Sequence, residues 1–174
     1  MTKENFSVRK IVLCGVLIAL NIIFARFLSI QAWSFRIGFT FLSYATAAIL
    51  YGPLEGAIVG GVGDLLGATV FATTGAYFPG FTITAILEGA VFGIFLKKKV
   101  SLPRVLGAVA IEQFILSLLM NSYWISVLYG KGFWALLPTR AAQAILLFVV
   151  ETVVLMLLER SLFPMLRRRI AGNE

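Results

Sequence analysis

Five ionisable side chains, Asp64, Glu88, Glu112, Arg140 and Glu151, interrupt long apolar runs in this sequence. At membrane depth such a group is costly unless it is paired or faces water, so each needs an account. Counted inward at about 1.5 Å per residue from one end of each run, Asp64, Glu88, Asn121 and Arg140 lie roughly 10–12 Å below one surface. Four runs thus bring a polar group to one depth, which suits a cavity open to that surface. The structural alternative is an ion pair of Asp64 or Glu88 with Arg140 that only holds helices together. Glu112 and Glu151 sit nearer the opposite surface and are read as structural.

Helical spacing adds two polar stripes. Arg36, Thr40 and Ser43 fall at i, i+4 and i+7, and Gln113, Ser117 and Asn121 at i, i+4 and i+8. Such stripes line a cavity or hydrogen-bond between helices. Asn121, beside Tyr123 and Trp124, favours a site. The segment from Thr73 to Gly80 is punctuated by Gly75, Pro79 and Gly80 and carries Tyr77 and Phe78. Those two aromatics are either a membrane-belt anchor or a lid over the cavity. Gly56, Gly60, Gly63 and Gly67, then Gly89 and Gly93, give small residues at helical spacing and predict close helix packing. Other chemistry is excluded by what is missing. With no histidine and one cysteine, Cys14, a disulfide within the chain is impossible, and catalysis through Ser-His-Asp or Cys-His is ruled out. Metal sites built on those ligands are nearly so.

The elements that must carry these residues follow from composition. Of 174 residues, 60% are hydrophobic and 13% charged, and mean hydropathy is +0.95. Soluble domains run at about 45–50% apolar and 25% charged. A spanning helix needs roughly 20 mostly apolar residues. The apolar runs predict an all-α, integral membrane bundle: one domain, 1–174, of six spans at about 11–27, 33–51, 54–73, 80–96, 103–128 and 133–163. Lys3, Arg9 and Lys10 precede an apolar run as in a signal peptide, but Asn21 and Arg26 interrupt that pattern and the run is read as a span. With the N-terminus inside, eleven of the fifteen basic residues are cytoplasmic, and Arg26, Arg36, Lys131 and Arg140 are not. That bias places both termini in the cytoplasm. The net charge of +7 therefore reports topology, and no nucleic-acid partner is expected.

Gly63-Asp64-Leu65-Leu66-Gly67, followed by Thr74-Gly75-Ala76-Tyr77-Phe78-Pro79-Gly80-Phe81-Thr82, resembles the signature of folate-family substrate-binding subunits (S components) of energy-coupling factor transporters. The resemblance covers nearly the whole chain, and the stretch from Gly63 to Thr82 is its specific part. It implies a non-enzymatic, multi-pass protein of the bacterial plasma membrane that binds one vitamin from outside, with no cofactor. It also implies partners: a transmembrane coupling (T) protein and two cytoplasmic ATPases. In the family the subunit is thought to topple, carrying its ligand inward, and small residues at spacing four on the first span contact the coupling protein. The matching positions here are Gly15 and Ala19; the family more often has alanine at both.

Folate suits these residues on physical grounds. Its pterin offers N–H donors, for which Asp64 and Asn121 are acceptors. Its flat rings suit stacking by Phe35, Tyr77, Phe78 or Trp124. Arg26 and Arg36 could meet the carboxylates of the glutamate tail, while Arg140 could serve Asp64 or the ring carbonyl. The alternatives are an S component for thiamine, pantothenate or a pyrimidine precursor, a membrane enzyme using Asp64 and Glu88 as an acid/base pair, or a scaffold whose polar residues only pack helices.

Overall fold

The structure is a computed structural model that describes residues 8–31, 36–71, 77–161 and 163–165. Helix α1 spans Val8–Arg26, α2 Thr40–Leu50, α3 Pro53–Thr69 and α4 Pro79–Leu96. A continuous helical rod then runs over Leu102–Tyr129, built from α5 (Leu102–Ala110), a π-helix (Ile111–Met120) and α6 (Asn121–Tyr129). The last long helix, α7, covers Phe133–Ser161. Proline opens α3, α4 and α5, where its missing N–H costs no hydrogen bond. Gly130, at φ 63°, ends α6 in the left-handed conformation.

Three helices, Pro79–Leu96, Leu102–Tyr129 and Phe133–Ser161, are long and apolar enough to cross a membrane. Their outward faces carry large exposed hydrophobics such as Ile94, Ile115, Trp134, Leu146 and Leu157, a surface suited to lipid and not to water. The expected second span, 33–51, is not one helix. Two short strands, β1 (Ile30–Gln31) and β2 (Arg36–Ile37), pair antiparallel with Ile30 opposite Ile37, and α2 starts only at Thr40. Gly38 supports this path: a Cβ there would sit 2.8 Å from the Ser29 Cβ. Arg36 therefore lies off the helix that carries Thr40 and Ser43, and the three do not form one helical stripe.

The glycine rows set the packing. A Cβ on Gly56 would strike the Gly89 carbonyl, and one on Gly60 the Ala85 carbonyl, so the α3 and α4 backbones are in contact. Gly63 and Gly67 face the other way, toward Asn21 and Arg26 of α1. Helix α3 is thus clamped between two neighbours through two glycine faces, the close approach that small residues permit. The register it sets, Gly60 beside Ala85 and Gly56 beside Gly89, brings Asp64 level with the first turn of α4.

The main apolar core gathers at the opposite end of the bundle. It includes Phe41, Ile49, Val59, Phe92, Leu96, Val105, Val109, Leu155 and Phe163. That end carries the basic residues Lys10, Lys97, Lys98, Lys99, Arg104 and Arg160. Lys10 ion-pairs with Glu55 there, which ties α1 to α3. Asp64, Thr82 and Trp124 are not part of this core, and Phe41, in the first turn of α2 beside the Asn21–Thr40 hydrogen bond, extends it toward their end.

Candidate functional site

Four helices, α1, α3, α4 and α6, build the polar end. Asp64 lies five residues before the end of α3, which stops at Thr69 and not at 73 as expected. Its Oδ2 accepts a 2.8 Å hydrogen bond from the Thr82 hydroxyl in the first turn of α4. The Tyr77 hydroxyl lies 3.3 Å from the same Thr82 oxygen, so Tyr77, Thr82 and Asp64 form one chain of polar contacts. Arg26, in the last turn of α1, interacts electrostatically with Asp64. Its guanidinium passes over Gly67, where a Cβ would lie 3.5 Å from both Nε and Nη2.

An aromatic wall stands on the other side of that turn. Phe78 and Trp124 have ring centroids 5.7 Å apart, and Tyr123 meets Trp124 edge-on at 5.1 Å. The indole N–H donates to the Thr84 hydroxyl at 3.1 Å, and that hydroxyl donates to the Gly80 carbonyl at 3.0 Å. These bonds satisfy the only donor of the indole and hold its plane. Gly80 makes the contact possible, since a Cβ there would lie 2.5 Å from the Trp124 ring and 2.6 Å from Phe78. One turn before Trp124, the Asn121 carboxamide oxygen is buried with no hydrogen-bond partner among the described residues. The first turn of α4 therefore has an acceptor on one flank and a cluster of tilted and edge-on rings on the other.

Below this layer lies a second polar one. Arg140, buried on α7, donates from Nη2 to the Ser117 carbonyl at 2.8 Å and interacts electrostatically with Glu88. Glu88 sits six residues beyond Thr82 on α4, about 9 Å deeper. Asp64, Glu88 and Arg140 therefore do not share one depth, as the apolar runs suggested. Asp64 takes Arg26 as its cation, and Arg140 goes with Glu88. The physical reason is the early end of α3 combined with the glycine register. Deeper still, Gln113 Nε2 donates to Glu112 Oε2 at 2.7 Å and to Glu151 Oε1 at 2.9 Å, and the Tyr44 hydroxyl lies 3.5 Å from Glu112 Oε1. Through Gln113 and Glu151 this buried network ties the π-helix to α7.

Of the expected site residues, Asp64, Arg26, Tyr77, Phe78 and Trp124 come together around the first turn of α4, with Asn121 one turn below Trp124. Arg140 lies in the deeper layer. Phe35 falls outside the described residues, and Arg36 is described by its backbone alone. Thr82 and Thr84 were not among the expected binding residues. Their signal was a hydroxyl pair two residues apart at the start of an otherwise apolar helix, each able to face a different neighbour. Gly15 and Ala19 share an exposed face of α1, and a Cβ on Gly15 would meet nothing within 4 Å. Among the described residues, nothing packs on that strip.

Three comparisons bear on this arrangement. A family model described as "ECF transporter, substrate-specific component" matches residues 9–159. The folate transporter FolT of Clostridium novyi (strain NT) is 40% identical over 150 residues, covering 86% of this chain and 87% of that protein. FolT of Leuconostoc mesenteroides subsp. mesenteroides is 28% identical over 154 residues, covering 84% of this chain and 82% of that protein. The crystal structure of FolT bound with folic acid superposes with a TM-score of 0.79 at 30% identity, covering 86% of this chain and 90% of that one. With its apolar helices, glycine-clamped bundle and polar end, the chain is a multi-pass membrane protein that belongs to the substrate-specific component family of ECF transporters.

Proposed function

We propose that this chain captures folate at the first turn of α4 and delivers it inward when docked on an ATP-driven energising module. The observation that carries the reading is the pairing of an oriented carboxylate with an aromatic wall across one helical turn. Thr82 orients Asp64 at 2.8 Å, and Trp124 stands 5.7 Å from Phe78 on the opposite flank. A pterin presents adjacent N–H donors in the plane of a flat ring, and this site offers an acceptor for the edge and rings for the face. Asn121, with its buried oxygen unpartnered among the described residues, supplies a second acceptor.

The cations then divide their work. Arg26 faces Asp64 and holds the charge that the pterin edge requires. Arg36, on β2 at the same end of the bundle, meets the carboxylates of the glutamate tail. Arg26→Ala should therefore weaken folate and a bare pterin by similar factors. Arg36→Ala should weaken folate by roughly 10- to 150-fold, the worth of one charge-assisted hydrogen bond, and leave the pterin nearly unchanged. Titration of both ligands into both variants checks this. Equal losses for the two ligands in Arg36→Ala would remove that residue from the tail site.

The subunit is read as non-enzymatic, in a bacterial plasma membrane, with six spans: α1, α2 with the preceding strands, α3, α4, the rod from Leu102 to Tyr129, and α7. The basic end faces the cytoplasm, by the excess of Lys and Arg there. Its partners are a transmembrane coupling protein, which the α1 strip of Gly15 and Ala19 receives, and two ATPases. Cysteines placed at Ala76 and Ala171 in a Cys14→Ala background should react with an impermeant reagent from opposite sides of the membrane. Reaction of both from one side would overturn the topology.

A further inference from the structure

At the basic end, away from the folate site, α4 and α5 enclose an open cleft of about 380 Å³ lined by Ile94, Phe95, Lys98 and Arg104. We propose that this cleft is a binding site for one anionic phospholipid, with Lys98 and Arg104 on its phosphate and Ile94 and Phe95 against its acyl chains. Four observations build the site. The first is depth. Ile94 and Phe95 belong to the last turn of a membrane-spanning helix, and Ile94 is 67% exposed on the face turned away from the core residues Phe92 and Leu96. A ligand touching them must have an apolar part at membrane depth, which a soluble anion lacks.

The second is shape. Gly107 of α5 lies against the Phe95 ring, where a Cβ would come within 3.1 Å, so the glycine lets the ring form the floor between the two helices. The third is charge. From Gly89 to Ile111 the sequence has four cations, Lys97, Lys98, Lys99 and Arg104, and no carboxylate. Among the described residues no carboxylate lies within ion-pair distance of Lys98 or Arg104. The last is the division of these cations. Lys97 turns to the α2–α3 junction, its Nζ 2.9 Å from where a Gly52 Cβ would stand. Arg104 is steered by a 3.4 Å hydrogen bond from Nη1 to the Lys99 carbonyl, across the loop that leads into α5. Two cations over an apolar cleft at a membrane boundary match the headgroup and upper chain of an anionic lipid. The cleft lies between α4 and α5, whereas the docking strip is on α1, which packs on α2 and α3. The proposal therefore stands apart from the folate reading.

The test uses the full chain in nanodiscs of equimolar phosphatidylcholine and phosphatidylglycerol, released and weighed by native mass spectrometry. The parent should retain one phosphatidylglycerol in preference to phosphatidylcholine. The double variant Lys98→Gln with Arg104→Gln should lower that retention about 30-fold, two surface-lipid charges' worth. Lys97→Gln with Lys99→Gln removes the same charge from the same loop and should retain the lipid as the parent does. Folate titration of each variant checks that the bundle is intact. Equal loss in both double variants would reduce the effect to diffuse attraction and overturn the site. So would equal retention of the two lipids by the parent, or displacement of the lipid by millimolar inorganic phosphate, which would make the occupant a soluble anion. No retained lipid at all would leave the cleft to a protein partner and end the proposal.

Discussion

Tryptophan at Gly15 or Ala19 should leave folate binding by the isolated subunit within a few-fold of the parent while uptake by the assembled transporter collapses. Both residues lie on one face of α1 with the exposed Ile11, Val12, Val16 and Ile23. Leu17 and Asn21 point the other way and are buried. A Cβ added at Gly15 meets nothing within 4 Å among the described residues, and Ala19 is exposed on the same face, so a larger side chain there points away from the bundle. On the proposed reading, the small residues there receive a helix of the coupling protein. Gly15 lies eleven residues before Arg26, about 16 Å along the helix, too far to disturb Asp64. Folate titration of the purified variants, followed by uptake in cells that supply the energising module, separates the two functions. Normal uptake with tryptophan at both positions would remove this strip as the docking surface.

The second large effect is expected at Asp64. Replacement by asparagine keeps the shape and one acceptor oxygen but removes the charge that strengthens hydrogen bonds to the pterin edge. It also leaves Arg26 facing a neutral group. One charged hydrogen bond is worth about 1.5–3 kcal/mol, so a drop in folate affinity on the order of 100-fold is expected. Thr82→Val should cost less, about fivefold, because it removes only the bond that orients the carboxylate. Calorimetry on both variants checks the order. If Asp64→Asn binds folate within threefold of the parent, the carboxylate serves Arg26 alone and the pterin lies elsewhere.

Much of this arrangement was legible in the residues, and the exceptions have identifiable causes. Gly56, Gly60, Gly89 and Gly93 announced tight packing by spacing alone, and the backbones do touch there. The loop aromatics Tyr77 and Phe78 and the distant Trp124 could be grouped because all three flank polar positions near one end of their helices. Depth was harder. Apolar residues continue past Thr69 to Phe71 and Ala72, so hydropathy placed Asp64 too deep and level with Glu88. Only the register of α3 on α4 corrects that, and register is a property of two helices together. The β1–β2 pairing escaped notice for a related reason. Trp33, Phe35 and Ile37 suit a strand as well as a membrane helix. Nor does spacing show that Ile111–Met120 winds as a π-helix, or that its Gln113 bonds Glu151 on α7. Thr82 and Thr84 passed as ordinary helix hydroxyls because their partners, Asp64 and Trp124, lie 18 and 40 residues away.

The most direct measurement of the central claim is the mass spectrum of the small molecule released when the purified protein is denatured, paired with titration of the emptied protein. The account predicts one folate per chain in the released fraction. It also predicts that folate quenches the fluorescence of Trp124, which stands in the aromatic wall, and that Trp124→Phe abolishes that quench. Release of a different vitamin, or no release together with unchanged tryptophan fluorescence on adding folate, would contradict it.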